Sequence, residues 1–262
     1  MGRIAIGTCG YSYYDPGTDW PEQYESKLAA YADAFEVGEI NRTFYSLPQV
    51  STTERWRREA GEDFEFTLKA WQALTHPTSS PTWNGHRDDL TGDQEDGFGS
   101  LRPTDVVRDA WAETKKRAEA LEANVVILQT PPSFDASEDH EDDMRDLLST
   151  IDRDGLVLAW EPRGEWLDRP ERVASLCSDL DLVHVVDLLR REPRTDHDIA
   201  YLRLHGRIED SDDYDYEYAA AELDRLAERL QGLAADYDRV YCLFNNSAMY
   251  RNATALGERL TE

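Results

Sequence analysis

Apolar residues along this chain follow two alternating rhythms. Short runs, many of them β-branched or aromatic, are separated by longer stretches in which apolar residues return every three or four positions. The short runs fall at 4–8, 35–41, 64–69, 124–129, 156–161, 182–187, 200–206 and 239–244. Each predicts a strand. Between them, Tyr24, Leu28, Tyr31 and Phe35 predict a helix from Pro21 to Ala34, and Thr53, Trp56 and Ala60 a short one around 51–60. Val107, Ala110, Trp111, Thr114, Ala118 and Leu121 predict a helix starting near Thr104. Met144, Leu147, Leu148 and Ile151 predict one capped by Ser137. Asp168-Arg169-Pro170-Glu171 reads as a helix start, with Asp168 as cap, continued by Val173, Leu176 and Leu180. Leu223, Leu226, Leu230 and Leu233 mark another, and Ala253, Leu256 and Leu260 the last. Residues 188–199 predict no helix, and an acidic loop runs from Glu209 to Asp215.

Eight strands mostly alternating with helices predict an α/β fold. Continuous apolar runs imply strands buried on both faces, hence a parallel sheet. In 262 residues this favours a single-domain (β/α)8 TIM barrel, which takes ~250 residues. No glycine-rich phosphate or dinucleotide signature follows the first strand. Residues 77–103, rich in Pro, Ser, Thr, Gly and Asp, form a long irregular loop after strand three. Long connections are disproportionately functional, so this one is expected to be a lid or an excursion rather than a domain boundary.

In such a barrel the active site lies at the C-terminal strand ends. Those ends carry Glu39 and Asn41, Lys69, Gln129, Glu161 and Arg163, Asp187, Arg203 and His205, and Asn245 and Asn246. The strand starts show no such concentration. Buried singly, each group would be costly; buried together they can satisfy one another. Taken alone, a strand-end acid is more simply a loop or cap ligand, and Arg163 and Arg203 are struts to Glu161 and Asp187. Lys69 stands out because the chain almost avoids lysine. The aromatic rings Trp71, Trp160, Trp166, Phe44 and Tyr45 read as packing at the barrel rim.

Charge changes the picture of the surface. The chain has 54 acids against 28 bases, only four of them Lys, and a net charge of −26. Apolar and aromatic residues are too plentiful for disorder. An acid-rich, lysine-poor surface suits concentrated salt, where the Debye length is ~3 Å at 1 M. The charge argues against nucleic acid as a partner. Cys9, Cys177 and Cys242 are odd in number and widely spaced, as expected of buried small side chains in a reducing compartment. The first residues lack a signal-peptide core and no apolar run approaches a membrane span, so no membrane association and a cytoplasmic location are expected.

Ordered motifs then add a resemblance. Gly7-Thr8 with Tyr13 and Asp15, Glu39-Ile40-Asn41 with Thr43-Phe44-Tyr45, and Phe64-x-Phe66 with Lys69 and Thr75-His76 come first. Gln129-Thr130-Pro131-Pro132-Ser133-Phe134, Glu161-x-Arg163 with Trp166, Asp187, Arg203-Leu204-His205-Gly206 and Phe244-Asn245-Asn246 follow. Together they make the chain resemble the YecE-like family, the domain of unknown function numbered 72, over nearly its whole length. The resemblance implies a TIM barrel and brings no settled reaction. Arg42 and the Asp15-Pro16-Gly17 and Trp20-Pro21 segments depart from the family pattern.

The strand ends therefore support three functions. The first is an enzyme acting on a small anionic ligand bearing a phosphate or carboxylate. Lys69, Arg163 and Arg203 hold the anion, Glu161 and His205 are the acid/base pair, and Glu39 and Asp187 orient them. Asn41, Gln129, Asn245 and Asn246 bind substrate polar groups. No cofactor is required. The second is an isomerase- or endonuclease-like barrel using a divalent metal held by Glu39, Glu161, Asp187 and His205, against which the three adjacent cations weigh. The third is a non-catalytic binding protein. The composition makes one prediction at once: the unfolding midpoint rises between low and molar KCl, measured by circular dichroism; a flat or falling midpoint removes the halophilic reading.

Overall fold

Strands β1 (Arg3–Thr8), β2 (Val37–Ile40), β3 (Glu65–Lys69), β4 (Val125–Gln129), β5 (Val157–Glu161), β6 (Leu182–Val186), β7 (Ile199–Leu204) and β8 (Arg239–Phe244) pair in parallel in chain order. β8 returns to β1 over six residue pairs, from Arg3 against Arg239 to Thr8 against Phe244, and closes the barrel. The computed structural model describes residues 1–86, 90–206 and 215–261.

The period of two along a strand decides what goes where. Odd-numbered residues point inward throughout: Ala5, Val37, Val125, Ile127, Ala159, Val183, Val185, Tyr201, Tyr241 and Leu243 form the inner core. Even-numbered ones, such as Phe66, Leu68, Val126, Trp160, Leu202 and Phe244, pack outward in a second, larger core shared with the helices. The helix Asp105–Leu121 buries Val107, Ala110, Trp111, Thr114, Ala118 and Leu121, the stripe its sequence spacing requires. Thr104 caps it by accepting from the Val107 amide. Ser137 likewise caps the helix Glu138–Thr150 by accepting from the His140 amide. All three cysteines are buried and free. No helix among the described residues is long and apolar enough to cross a membrane.

Three local expectations need correction. The stretch 21–34 is two helices, Trp20–Gln23 and Lys27–Ala34, because the chain turns extended at Tyr24 and Ser26 starts the second as its cap. The helix Pro170–Asp179 is preceded by Arg169, not capped by Asp168, which ends a 3-10 turn spanning Gly164–Asp168. Pro170 accounts for that start, since a first-turn residue needs no amide donor. The strand starts also hold a charged group after all. Glu65 accepts from the guanidinium of Arg239 and from the Tyr241 hydroxyl at 2.7 Å, and Arg3 lies 3.6 Å from the same carboxylate. Of the loop at Glu209–Asp215, all but Asp215 lies outside the described residues.

Residues 188–198 form no helix. They dress the outside of β6 instead: the Arg194 amide donates to His184 Nδ1 at 3.0 Å and the Thr195 hydroxyl to the Leu182 carbonyl at 2.8 Å.

In the segment 77–103, Trp83, Phe98 and Leu101 are buried. Trp83 and Phe98 stack with centroids 5.7 Å apart, and Trp71 meets both edge-on. The Trp83 indole donates to the His76 carbonyl at 3.0 Å. The amides of Gly99 and Leu101 donate to Ala73 and Leu74, both at 2.8 Å, which staples the segment to the turn that follows β3. Gly99 has φ +86°, and a Cβ there would lie 2.3 Å from the Pro77 nitrogen, so only glycine fits. Trp83→Ala is therefore expected to lower stability by about 3–5 kcal/mol, read by urea unfolding; a loss below 1 kcal/mol would mean that the aromatic stack does not hold this segment.

Candidate active site

The C-terminal ends of β2, β3, β4, β5 and β7 deliver one connected polar network. It follows from parity: Glu39, Asn41, Lys69, Gln129, Glu161 and Arg203 are all odd-numbered and so face the barrel axis. At its centre lies Arg203, whose side chain is 1% exposed. One arm of its guanidinium, Nη1, donates to Glu161 Oε2. The other, Nη2, donates to Glu39 Oε1 at 2.9 Å and, at 3.5 Å, to Asn41 Oδ1. Glu39, fully buried, takes a second bond from the Tyr201 hydroxyl at 2.9 Å, and Tyr201 is 2.7 Å from the Thr67 hydroxyl. Asn41 donates to the Cys9 carbonyl at 2.9 Å. Arg203 is thus a strut, but to Glu161 and Glu39, not to Asp187.

Towards the mouth, Glu161 Oε1 accepts from Arg163 at 2.5 Å and from Gln129 Nε2 at 3.0 Å. His205 Nε2 lies 3.7 Å from the same oxygen and 3.3 Å from Arg163. Gln129 in turn accepts from the Lys69 amine at 2.7 Å. Lys69 is 8% exposed, and its nitrogen stands 3.8 Å from the centroid of the Phe44 ring. Among the described residues no carboxylate pairs with it. Its counterparts Lys115 and Lys116 are paired with Asp152 and Glu113.

These surroundings separate the titrating groups. Burial would push the Glu161 carboxyl up, but Arg203, Arg163, His205 and Lys69 outweigh it and hold the group well below the usual carboxylate range. Burial disfavours a charged Arg203, yet Glu161 and Glu39 keep it firmly protonated. Lys69 goes the other way. Burial, reinforced by Arg203, lowers it to about 7, and the attraction of Glu161 and Glu39 does not restore it. The Phe44 face favours the ammonium by ~1–2 kcal/mol. The loss of hydration on burial outweighs that attraction, so the amine titrates near neutrality. Burial, then Lys69, brings His76 down to about 3, so its imidazole is neutral. It packs edge-on to Phe44 and bonds to the Thr75 hydroxyl at 2.8 Å. Burial and Glu39 raise the Cys9 thiol well above its ordinary range, which leaves it inert.

The remaining candidates lie at the edge or outside. Asp187 accepts from the Leu189 amide at 3.0 Å and stands 3.8 Å from Arg190. It shares a cleft of about 60 Å³ with Glu161, Arg163 and His205. Asn245 follows β8, half-buried, and its backbone N–H donates to the Leu204 carbonyl at 2.8 Å. Asn246 is not brought to the mouth. One residue further on, it turns outward and donates to the Tyr216 carbonyl at 2.6 Å and to Asn252 at 2.9 Å. Tyr201, Thr67 and Phe44 belong to the network without having been singled out as site residues; for Tyr201 the signal was its parity with Arg203 and His205. A cleft of about 190 Å³ opens beside Glu39 and Asn41, lined with Tyr11, Tyr13, Trp56, Tyr250 and the exposed Arg42. Among the described residues no three of His, Cys, Asp or Glu converge as metal donors. The oxygens of Glu39 and Glu161 are already committed to Arg203, Tyr201, Arg163 and Gln129.

An eight-stranded parallel barrel with one buried ion network at its C-terminal mouth is the class that fold and site define. Within it, the chain belongs to the family described as "Protein of unknown function DUF72", whose match covers residues 5–262. It is 24% identical to the UPF0759 protein YunF of Bacillus subtilis, over 94% of this chain and 89% of that protein. A DUF72 family protein of Thermotoga maritima superposes with a TM-score of 0.72 at 24% identity, covering 99% of each chain. One from Enterococcus faecalis gives 0.72 at 15% identity, covering 100% of this chain and 99% of that one. At these identities the solved structures establish the fold.

Arg203→Met leaves two carboxylates buried together, so a loss of about 3–5 kcal/mol is expected at neutral pH. The folded-state pKa of Glu161 is depressed, so its contribution is present above its unfolded value of 4.5 and is lost as pH falls below it. The gap between wild type and variant in urea unfolding should therefore shrink below pH 4.5. A gap that widens in acid contradicts the network.

Proposed function

We propose that the barrel mouth binds a small molecule bearing a phosphate or carboxylate and performs proton transfer on it, with Lys69 as the group that changes protonation. The observation that carries this reading is the Lys69 amine: buried, without a carboxylate partner among the described residues, and lowered to about 7 beside Arg203. A catalytic acid or base works best when its pKa lies near the working pH. Glu161, held ionised by its guanidinium neighbours, accepts hydrogen bonds and fixes Arg163, Gln129 and, through Gln129, Lys69. It is thereby an orienting group in this reading, and Lys69 takes the acid/base role.

Arg163, with its side chain 23% exposed, and the protonated form of Lys69 present positive charge to the mouth. A bound anion is stabilised by both, and in turn raises the Lys69 pKa. Arg163 and His205 stand on the side of the mouth nearest Glu161, where an anionic group would meet charge-assisted donors. The divalent-metal alternative lacks free donor oxygens on Glu39 and Glu161, so we favour the metal-independent reading.

Isothermal titration with inorganic phosphate and with pyruvate tests the anion site. Arg163→Gln removes a charged donor worth ~1.5–3 kcal/mol, so affinity should fall about 10-fold or more. Affinity in the wild type should also weaken as pH rises through about 7 and Lys69 loses its proton. Equal affinity in wild type and variant, or affinity independent of pH between 6 and 9, would sink the reading.

A further inference from the structure

We propose that Lys69 is also a nucleophile, and that the mouth forms an imine between its amine and the carbonyl carbon of a small aldehyde or ketone that carries an acidic group. This rests on the anion-binding reading above and gives it a substrate class. A lysine becomes a competent nucleophile when it is desolvated or placed beside another cation, because both favour the neutral amine with its lone pair. Lys69 has both conditions. Its side chain is 8% exposed and its charged neighbours include Arg203 on β7 and Arg163 beyond β5. Glu161 and Glu39 act in the opposite sense, and His76, neutral, stands on the turn after β3. The other lysines contrast with it. Lys115 and Lys116 are ion-paired, and Lys27 is exposed to solvent.

The geometry also orients the attack. Gln129 Oε1 accepts one N–H of Lys69 at 2.7 Å, while Gln129 Nε2 is fixed on Glu161 at 3.0 Å, which prevents the amide from turning over. The amine is therefore held by one hydrogen, leaving its lone pair directed away from Gln129. The Phe44 ring forms a flat floor 3.8 Å from the nitrogen, against which a planar C=N unit can lie. In the step itself, the nitrogen lone pair forms the C–N bond as the carbonyl π pair moves to oxygen. A proton passes from nitrogen to that oxygen to give the carbinolamine. The second N–H proton is then transferred to the carbinolamine hydroxyl, the C–O bond breaks with its electron pair leaving on oxygen as water, and the nitrogen lone pair forms the C=N bond, so that amine and carbonyl yield imine and water with no change of oxidation state. Once protonated, the imine withdraws electrons from the adjacent carbon. This is the property that would make it useful for breaking a C–H or C–C bond there, and hydrolysis returns the free amine.

Glyoxylate and pyruvate are suitable probes, each a carbonyl next to a carboxylate. The intact protein in molar KCl is incubated with either one and sodium cyanoborohydride, and labelled lysines are located by peptide mass mapping. Lys69 should be modified at least about 10-fold faster than Lys27, Lys115 or Lys116, with a rate that rises through a midpoint near pH 7. Lys69→Arg, which keeps the charge but cannot form the imine, should lose that fast phase. Even labelling of the exposed lysines, with Lys69 untouched in a protein that still binds phosphate, overturns the imine and leaves proton transfer standing. Lys69 untouched in a protein without anion affinity overturns both. Fast labelling of Lys69 without phosphate affinity supports the imine and overturns the anion site.

Discussion

One guanidinium holds the mouth of this barrel together. Arg203 sits almost fully buried between Glu39 on β2 and Glu161 on β5, and it spans the barrel interior to reach both. Two carboxylates at this depth would repel each other and resist ionisation. Arg203 between them donates to both, which keeps Glu161 ionised and holds the two side chains in place. Everything nearer the solvent hangs from that arrangement: Glu161 fixes Arg163 and Gln129, and Gln129 fixes Lys69. A buried ion pair of this kind adds little net stability compared with well-packed apolar side chains, because desolvation offsets attraction. Its value here is positional.

The same arrangement explains why acid and base properties are divided as they are. The carboxylate that the strand pattern marks as an acid/base group is surrounded by positive charge and stays ionised. The lysine that the pattern marks as an anion holder is the group left near its titration point. The difference is one of partners. Glu161 has two guanidinium donors, whereas Lys69 has an amide oxygen and an aromatic face.

The fold was legible in the sequence because a barrel strand buried on both faces leaves an unmistakable run of apolar residues, and eight such runs in this length admit few architectures. Strand-end polarity was legible for the same reason, since Glu39, Lys69 and Arg203 interrupt otherwise apolar runs. What the sequence hid depends on the third dimension or on a single residue of register. Asn245 and Asn246 are adjacent and chemically identical, yet Asn245 stays half-buried at the end of β8 while Asn246 is buried and bonds Tyr216 and Asn252. Tyr201 is hidden inside the apolar run 200–206 because its ring is core, and only its hydroxyl reaches Glu39. Arg203 could have paired with any acid in the mouth; which one depends on the barrel's diameter and tilt. The ion pair of Glu65 and Arg239 at the opposite end, joined by the Tyr241 hydroxyl, was missed because both charged residues begin their strands, where charge is ordinary.

The acidic exterior has a consequence for encounter rates. A net charge of −26 surrounds a mouth that gathers cations. At low ionic strength, with a Debye length of ~30 Å at 0.01 M, an approaching anion feels the whole surface before it feels the mouth, and the long-range field turns it away. At 1 M the length shrinks to ~3 Å, and the anion responds only to the groups it touches. Salt would then quicken the capture of an anion by this protein, the reverse of the steering that oppositely charged partners show as they lose speed in brine.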